Sequence, residues 1–377
     1  MRFESGLAER LEAGRLGMKT LGFAIVGCGG IALQNHLPGL ALCPETRLAA
    51  LCDTVPATLE RARQQTGVKV VSTDYREIVR RDDVDAVILA TPNHTHKEIA
   101  LAAIAAGKHV LCEKPLALNA ADARAMAEAA EAADVRHMTA FTYRFVPAMR
   151  YLAHLAKRGD LGELYHYRSC RLQDWGTRDL GWRQLRALAG SGELGDMLSH
   201  RIDFAHLLAG PIKRLVSGLR RFHAVRMGKP SELDDWVAIM AEFGCGATGV
   251  LESSKLATGR NESWRSLDLV ELNGSERSFV FSTGNWNTLQ TGKLGGPGLE
   301  SIPVPKPFWR WPGSLRDPHV GDPLVTFRYD QAWEFVDAIR NRRACVPSFH
   351  DGVRVQVVMD AAVRSAESRQ WEELAEV

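Results

Sequence analysis

Short apolar runs alternate with helical patterns along the first 145 residues. The apolar runs occupy residues 21–27, 48–53, 85–91, 109–113 and 137–143, and the helical patterns occupy residues 31–42, 56–65, 96–106 and 120–133. Continuous apolar runs are typical of parallel strands that are buried on both faces. Their alternation with helices predicts a doubly wound parallel sheet with right-handed crossovers.

The pattern changes after residue 145. Apolar and polar residues alternate with period two over residues 163–171, 213–222, 235–243, 247–255, 266–272 and 277–282. Asn273-Gly274, between the last two of these predicted strands, predicts a hairpin turn. Few helical patterns interrupt the strands, which predicts an α/β domain built on a large, mostly antiparallel open sheet. The polar face of that sheet is a candidate surface for pairing with a second copy of the chain.

The last quarter of the chain contains a segment rich in turn-forming residues. Residues 284–323 hold seven Gly and seven Pro, and this composition predicts a long irregular loop. Two helical patterns follow, over residues 329–342 and 352–367.

Composition and charge exclude several classes of partner. The 377 residues are 45% hydrophobic and 24% charged, and 47 basic side chains balance 45 acidic ones for a net charge of +2. This balance argues against a nucleic-acid or membrane-surface partner. No apolar run approaches the roughly 20 residues of a membrane span. The seven cysteines are scattered without a CxxC pair, which favours reduced, buried thiols, and we expect a cytoplasmic protein.

A glycine turn between the first apolar run and the first helical pattern carries the strongest functional signal. It reads Gly27-Cys28-Gly29-Gly30-Ile31-Ala32. The first glycine permits a tight turn, the second lets a pyrophosphate approach the backbone, and the helix N-terminus supplies N–H groups. The alternative is a tight turn without a ligand. Asp53 and Thr54 follow the second strand at the spacing of a ribose ligand, and the carboxylate favours NAD over NADP. Arg61 and Arg63 leave NADP open.

Two further groups of residues point to chemistry. Glu113-Lys114-Pro115 ends the fourth predicted strand, at the edge where doubly wound folds bind ligands. The bond before Pro115 can adopt a cis geometry. Asp196, His200 and Asp203 have the spacing of one helical face, so a carboxylate lies beside a candidate general base. The alternatives are a surface turn and an ordinary polar helix face.

Other histidines have simpler interpretations. His94 and His96 form an HxH pair, but no third ligand lies nearby in the sequence, so we predict no metal site. His36 falls in the first helical pattern and is interpreted as a packing residue.

Several separated motifs together resemble the glucose–fructose oxidoreductase, inositol dehydrogenase and MocA family. The motifs occupy residues 90–96, 106–116, 143–147, 182–183 and 195–203. The resemblance implies an NAD(P)-binding Rossmann domain over residues 21–145 and a substrate-binding and oligomerisation domain over residues 146–377. Residues 1–20 then form an N-terminal extension. Leu198 and the pair Glu193-Leu194 depart from a pattern that is usually richer in glycine.

The resemblance also implies residue roles. Lys114, Asp196 and His200 are the implied catalytic residues. Further cofactor-binding residues, besides those of the glycine turn and Asp53-Thr54, are implied at Thr91, Pro92, Asn93, His96, Glu113, Lys114, Arg144, Trp182 and Arg183. The implied substrate-binding residues are Lys114, Tyr143, Arg183, Asp196 and His200.

The resulting hypothesis is an NAD-dependent dehydrogenase that acts on a secondary hydroxyl of a sugar, glycoside or cyclitol. A histidine is a suitable base because its ordinary pKa lies near the working pH, and a lysine stabilises a developing alkoxide. One alternative is a glycosidase that oxidises its substrate transiently with bound NAD. A second is a non-catalytic NAD- or sugar-sensing protein. The family also favours a homo-oligomer, a dimer or tetramer.

Overall fold

The computed structural model describes residues 19–262, 267–282 and 284–374. Within them the chain forms two compact units. The first unit comprises the described residues up to Ala117, together with Ala121–Thr142 and Trp311–Gly352. The second comprises Leu118–Ala120, the described residues between Tyr143 and Arg310, and those from Val353 onward. The predicted extension over residues 1–20 lies outside the described residues, apart from its last two.

Strands are numbered in chain order. They are β1 (Leu21–Val26), β2 (Thr46–Cys52), β3 (Val71–Ser72), β4 (Ala86–Leu89), β5 (His109–Cys112), β6 (His137–Thr139), β7 (Leu164–Leu172), β8 (Ile212–Arg220), β9 (Val225–Arg226), β10 (Lys229–Pro230), β11 (Trp236–Phe243), β12 (Thr248–Ser254), β13 (Leu267–Gly274), β14 (Arg277–Ser282), β15 (Thr288–Lys293), β16 (Glu300–Pro303) and β17 (Glu372–Glu373).

Helices are numbered in the same way. They are α1 (Leu37–Ala41), α2 (Pro56–Thr66), α3 (Tyr75–Val79), α4 (His96–Ala105), α5 (Ala120–Ala132), α6 (Pro147–Lys157), α7 (Arg186–Ala189), α8 (Ser199–Ala209), α9 (Pro323–Thr326), α10 (Asp330–Arg340) and α11 (Phe349–Ser368). Two π-wound turns, Ala32–His36 and Leu194–Leu198, run directly into α1 and α8. Single 3₁₀ turns lie at Asn93–Thr95, Thr142–Phe145, Gly181–Gln184, Lys306–Phe308 and Phe327–Tyr329.

The first unit is built on a six-stranded parallel sheet with the order β3-β2-β1-β4-β5-β6. This confirms the predicted doubly wound sheet. The order reverses between β1 and β4, and this reversal opens a crevice at the carboxyl ends of the strands. Strand β3 and helix α3 were not predicted because they are too short to show a period.

Helix α10 packs into the core of the first unit, although it lies near the end of the chain. The Phe335 ring meets the Phe23 ring of β1 edge-on, with centroids 6.1 Å apart, and both side chains are buried. Burying one such ring contributes on the order of 3 kcal/mol. A Cβ on Gly39 would lie 3.1 Å from Ala332 Cβ, so the glycine allows α1 and α10 to approach closely.

The second unit is built on a nine-stranded sheet with the order β16-β15-β14-β13-β7-β12-β11-β8-β17. All neighbours are antiparallel except β7 and β12, which run parallel. The predicted mostly antiparallel open sheet is therefore confirmed. Helix α8 packs on β7 and β12, and α6 packs on α8.

Two details of the predicted second sheet were wrong. The predicted hairpin joins β13 and β14, but its turn lies after Asn273-Gly274, because β13 continues through Gly274 and Asn273 pairs with Ser278. The backbone at Gly274 is not left-handed, but a Cβ there would lie 2.2 Å from Leu161 O, so close approach explains this glycine. Residues 284–323 are not one irregular loop, since they contain β15 and β16. Leu289 and Thr291 alternate inward on β15, and Pro303 is tolerated because β16 is the edge strand.

None of the described helices combines the length and the apolar character that crossing a bilayer requires.

Candidate functional site

The glycine turn of the first unit follows β1 as predicted. Gly27 has φ +90°, and a Cβ there would lie 2.4 Å from Ala90 O at the end of β4, so only glycine fits. Gly29 and Gly30 face open space, because an added Cβ would meet no atom within 4 Å. Ala32 is fully buried where the π-wound turn packs on the sheet, and Ile31 precedes it. The turn is thus closed towards the sheet and open on its outer side.

Asp53 follows β2 beside this turn. Its Oδ2 accepts a hydrogen bond from the Cys28 backbone N–H at 2.8 Å, and its Oδ1 accepts one from Val55 N–H at 2.9 Å. One carboxylate therefore holds the glycine turn and the start of α2 in place, and Thr54 lies between the two contacts. The carboxylate is partly exposed, and each oxygen keeps a lone pair for a further donor.

The segment after β4 carries Thr91, Pro92 and Asn93. Thr91 Oγ1 accepts a hydrogen bond from Thr95 Oγ1 at 2.7 Å, and Asn93 is buried. The His96 ring is fully buried, with one nitrogen 3.0 Å from Thr91 O and the other 3.0 Å from Pro115 O. Burial lowers the pKa of His96, so the ring is neutral and donates to one of these carbonyls. The side chain ties two loops together, and its implied contact with a cofactor stays a prediction.

Glu113 and Lys114 follow β5 at the same edge of the sheet. Glu113 Oε1 lies 2.7 Å from His36 Nε2, and the His36 ring is buried. Burial alone would raise the pKa of Glu113, but the His36 hydrogen bond and the Lys114 charge lower it. Lys114 is partly buried, and the Lys114–Pro115 bond is cis.

Together these residues fit a dinucleotide. The glycine turn offers N–H groups and open space to a diphosphate, and Asp53 offers acceptor oxygens to ribose hydroxyls. The other implied cofactor ligands of this unit follow β4 and β5, so the parallel strands bring them to the same edge. The set of donors and acceptors suits NAD.

The second unit brings Tyr143, Arg144, His200 and Asp203 together. The Tyr143 ring stands perpendicular to the buried His200 ring, with centroids 4.6 Å apart. Asp203 accepts two hydrogen bonds from the Arg144 guanidinium, at 2.7 and 2.5 Å, in a buried pair. Asp203 therefore orients Arg144. The sequence spacing placed Asp203 on one helical face with Asp196 and His200, and it did not indicate this ion pair.

Asp196 is partly exposed and lies inside the π-wound turn Leu194–Leu198. A π turn takes more residues than an α turn, so the α-helical spacing used to align Asp196 with His200 does not apply across it. The chain before Asp196 is held by Asp234, whose carboxylate accepts from Gly192 N–H at 2.7 Å and Leu194 N–H at 2.8 Å. A Cβ on Gly192 would lie 2.1 Å from Asp234 O, which explains the glycine.

A group of buried charges lies behind Tyr143. Asp268 bonds the guanidiniums of both Arg171 and Arg201, and all three side chains are buried. The two guanidinium carbons lie 6.0 and 5.6 Å from the centre of the Tyr143 ring. We call Arg171, Arg201 and Asp268 the shared-aspartate cluster. It supports the aromatic ring on which His200 rests.

Trp182 and Arg183 occupy the 3₁₀ turn Gly181–Gln184, where the Arg183 guanidinium lies 4.4 Å from the centre of the Trp182 ring. Two other arginines of this region have partners. The Arg178 guanidinium donates to both carboxylate oxygens of Glu262, and the backbone N–H of Arg186 donates to the Glu232 carboxylate.

Several residues of the site were missed or underrated from sequence. His36 contacts Glu113, whereas it was interpreted as packing alone. Asp234, Asp268 and Arg201 gave no usable signal, since each is a single polar position within or directly beside a predicted strand or helix. Among the described residues, no group of three histidine, cysteine or acidic side chains could hold a metal ion. All seven thiols are unpaired by disulfides, and Cys245 is exposed while the others are buried.

Comparisons with known proteins agree on the family. Residues 21–141 match the model of the oxidoreductase family with an NAD-binding Rossmann fold, and residues 149–280 match the GFO/IDH/MocA C-terminal domain. The levoglucosan dehydrogenase of Pseudarthrobacter phenanthrenivorans is 32% identical, covering 96% of this chain and 100% of that protein. The myo-inositol 2-dehydrogenase of Thermotoga maritima is 29% identical, covering 62% of this chain and 68% of that protein.

A solved structure of levoglucosan dehydrogenase in complex with NADH and levoglucosan matches with a TM-score of 0.86. It is 30% identical and covers 94% of this chain and 100% of that one. The first family model therefore spans the strands of the parallel sheet, and the second spans most strands of the nine-stranded sheet. The chain belongs to the GFO/IDH/MocA family of NAD-binding oxidoreductases.

Proposed function

We propose that this chain is an NAD-dependent dehydrogenase that oxidises a secondary hydroxyl of an uncharged sugar, with a levoglucosan-like anhydrosugar as the first candidate. The observation that carries the proposal is the placement of Lys114 at the carboxyl end of β5, on the edge that holds the glycine turn and Asp53. The full-length similarity to levoglucosan dehydrogenase supports the choice of substrate.

We assign the proton chemistry to Lys114, Asp196 and His200. Bound NAD would supply the hydride acceptor. The Lys114 ammonium donates a hydrogen bond to the substrate oxygen and stabilises the alkoxide that forms, an effect on the order of 3 kcal/mol in a water-poor site. The His200 imidazole accepts the hydroxyl proton, and the Tyr143 ring fixes its plane. Asp196 accepts a hydrogen bond from a neighbouring substrate hydroxyl or from His200.

The pairing of Arg178 with a carboxylate favours an uncharged substrate over a sugar phosphate. A phosphate site needs guanidiniums that are available to bind two oxygens. Arg178 is already paired with both oxygens of Glu262. The Asp53 carboxylate likewise favours NAD over NADP, because it would repel a 2′-phosphate.

We also infer a homo-oligomer. The outer face of the nine-stranded sheet carries the row Met240, Val250, Arg168 and Glu271 across four strands, and Met240 is 56% exposed. Apolar side chains among opposite charges suit a self-complementary interface. Light scattering after size exclusion would test this, and a monomer at micromolar concentration would contradict it.

The decisive experiment follows NADH absorbance with levoglucosan, free hexoses and myo-inositol, each with NAD and with NADP. Lys114→Ala should lower kcat/KM at least about a hundredfold, which corresponds to the loss of roughly 3 kcal/mol, and should leave NADH binding within a few-fold. Lys69→Ala, at an exposed lysine, is the matched control. Near-normal turnover by Lys114→Ala would contradict the assignment. Sugar release without net NADH would indicate transient oxidation instead.

A further inference from the structure

A carboxylic acid is buried next to the turn that carries Asp196. Glu193 is fully buried in the second unit, and its Oε1 lies 2.5 Å from Ser253 Oγ. Its Oε2 lies 3.6 Å from Lys255 Nζ. Ser253 lies in β12 and Lys255 directly follows the strand two positions later, and the contacts of both with Glu193 place their side chains on the face on which the π-wound turn packs.

The hydrogen bonds around Ser253 accommodate a proton on Glu193. The Ser253 hydroxyl has one hydrogen but two acceptors within reach, Arg171 O at 3.1 Å and Glu193 Oε1 at 2.5 Å. When Glu193 is protonated it donates to Ser253 Oγ, and Ser253 donates to Arg171 O, so both bonds form at once. When Glu193 is ionised, Ser253 turns its proton towards the carboxylate and Arg171 O loses it. The short carboxyl–hydroxyl distance suits either arrangement.

Charged groups of both signs face Glu193. Lys255 and Arg171 are cations coupled to it, and Lys255 Nζ lies 5.1 Å from the centre of the Trp175 ring. Asp234 and Asp196 are the acidic neighbours, and Asp234 is occupied by backbone N–H groups. Burial raises the pKa of Glu193 to about 7, Asp196 and Asp234 add to the rise, and Lys255 and Ser253 oppose it.

We propose that Glu193 is a positioning residue that exchanges one proton with solvent and thereby sets the charge presented to Asp196. With the proton bound, the Glu193–Lys255 pair has a charge of +1. Once the proton has left, the pair is neutral. The electrostatic field of this pair at Asp196 and at the other catalytic groups of the second unit therefore differs below and above neutral pH. The expected effect on kinetics rests on the proposed function. The proton exchange of Glu193 does not depend on it.

The kinetic test is the pH profile of kcat/KM. In Glu193→Gln the carboxylate that opposes the Lys255 charge in the ionised wild type is absent, and a nearby positive charge favours the deprotonated form of the catalytic groups. The midpoint of the acid limb should therefore move about half a pH unit or more to lower pH. Glu193→Gln/Lys255→Met removes both charges and should return the midpoint towards that of the wild type. A structural role alone would lower kcat without moving the midpoint, and that result would overturn the proposal.

The second test needs no turnover. The melting temperature of the full chain is measured from pH 5 to pH 8 for the wild type, Glu193→Gln and the control Glu163→Gln, at an exposed glutamate. The unfolded chain releases the Glu193 proton near the ordinary glutamate pKa of about 4.3, whereas the folded wild type keeps it until about pH 7. The stability of the wild type therefore falls between these two pH values and levels off above them, and Glu193→Gln shows no such fall. The variant should gain stability relative to the wild type from pH 5 to about pH 7 without further gain at pH 8, and Glu163→Gln should stay parallel to the wild type.

The two tests separate the two proposals. A pH-independent difference in melting temperature between Glu193→Gln and the wild type would overturn the proton exchange, even in an active enzyme. The expected stability pattern in a chain that oxidises none of the sugars would leave the proton exchange standing and overturn the proposed function.

Discussion

Asp268→Asn should be among the most destabilising single substitutions in the second unit. Asp268 is the shared anion of Arg171 and Arg201, and each of the three side chains is at most 5% exposed. Asparagine keeps the shape but removes the charge, and its NH₂ group would face guanidinium donors. Removing one partner of a buried ion pair costs about 3–5 kcal/mol because the remaining charge stays buried. Two guanidiniums are affected, so we expect about 4 kcal/mol.

The assay is urea unfolding of the full chain at pH 7, combined with the melting temperature. A loss of about 4 kcal/mol should lower the melting temperature by roughly 10 °C in a unit of this size. Asp160→Asn is the matched control, because its carboxylate lies 3.3 Å from Arg158 Nε at the surface, where an ion pair contributes at most about 1 kcal/mol. Because the cluster supports Tyr143, Asp268→Asn should also lower kcat.

A double-mutant cycle isolates the charge interaction. Arg201→Met in the Asp268→Asn background removes one of the two stranded cations, so it should recover part of the lost stability, with a coupling energy of at least about 1.5 kcal/mol. A loss below about 1 kcal/mol for Asp268→Asn, or strictly additive effects, would refute the reasoning that these charges depend on one another.

Two further predictions concern the first unit. Asp53→Ala should raise the KM for NAD about tenfold or more with little change in kcat, because it removes the ribose acceptor and the hydrogen bond from the Cys28 backbone N–H. Steady-state kinetics with NAD and NADP measures this effect. An unchanged KM would contradict the assignment. His36→Leu removes the hydrogen bond to Glu113 and should cost about 1–2 kcal/mol in urea unfolding at pH 7. The fold lowers the pKa of Glu113, so its contribution is present above the unfolded-state pKa and disappears as the pH falls. The cost of His36→Leu should accordingly shrink in acid, and a cost independent of pH would count against the pairing.

The parallel sheet was predictable because each strand is buried on both faces and shows as an apolar run. Residues 21–27 and 109–113 match β1 and β5 to within one residue. Packing between distant segments leaves no such signal. Helix α10 was predicted as a helix, but nothing in its sequence indicates that Phe335 packs on Phe23. Strand β15 was hidden because its glycine and threonine content resembles that of a loop, and only pairing with β14 makes it a strand.

The candidate site was predicted best where it depends on the backbone and least where it depends on buried charge. Gly27 and Lys114 follow strands directly, so their place at the sheet edge follows from the order of the strands.

By contrast, period-two alternation assigns polar residues to the exposed face of a strand, yet Asp268, Arg171 and Ser253 form a row across three strands on the covered face. That row meets Arg201 and Glu193 from the segment that carries Asp196 and His200. An apolar face would hold this segment by shape alone, whereas these charged and hydrogen-bonded side chains also fix which residues meet. The buried polar positions that the period-two rule assigned to the exposed face are accordingly those that hold the segment carrying Asp196 and His200.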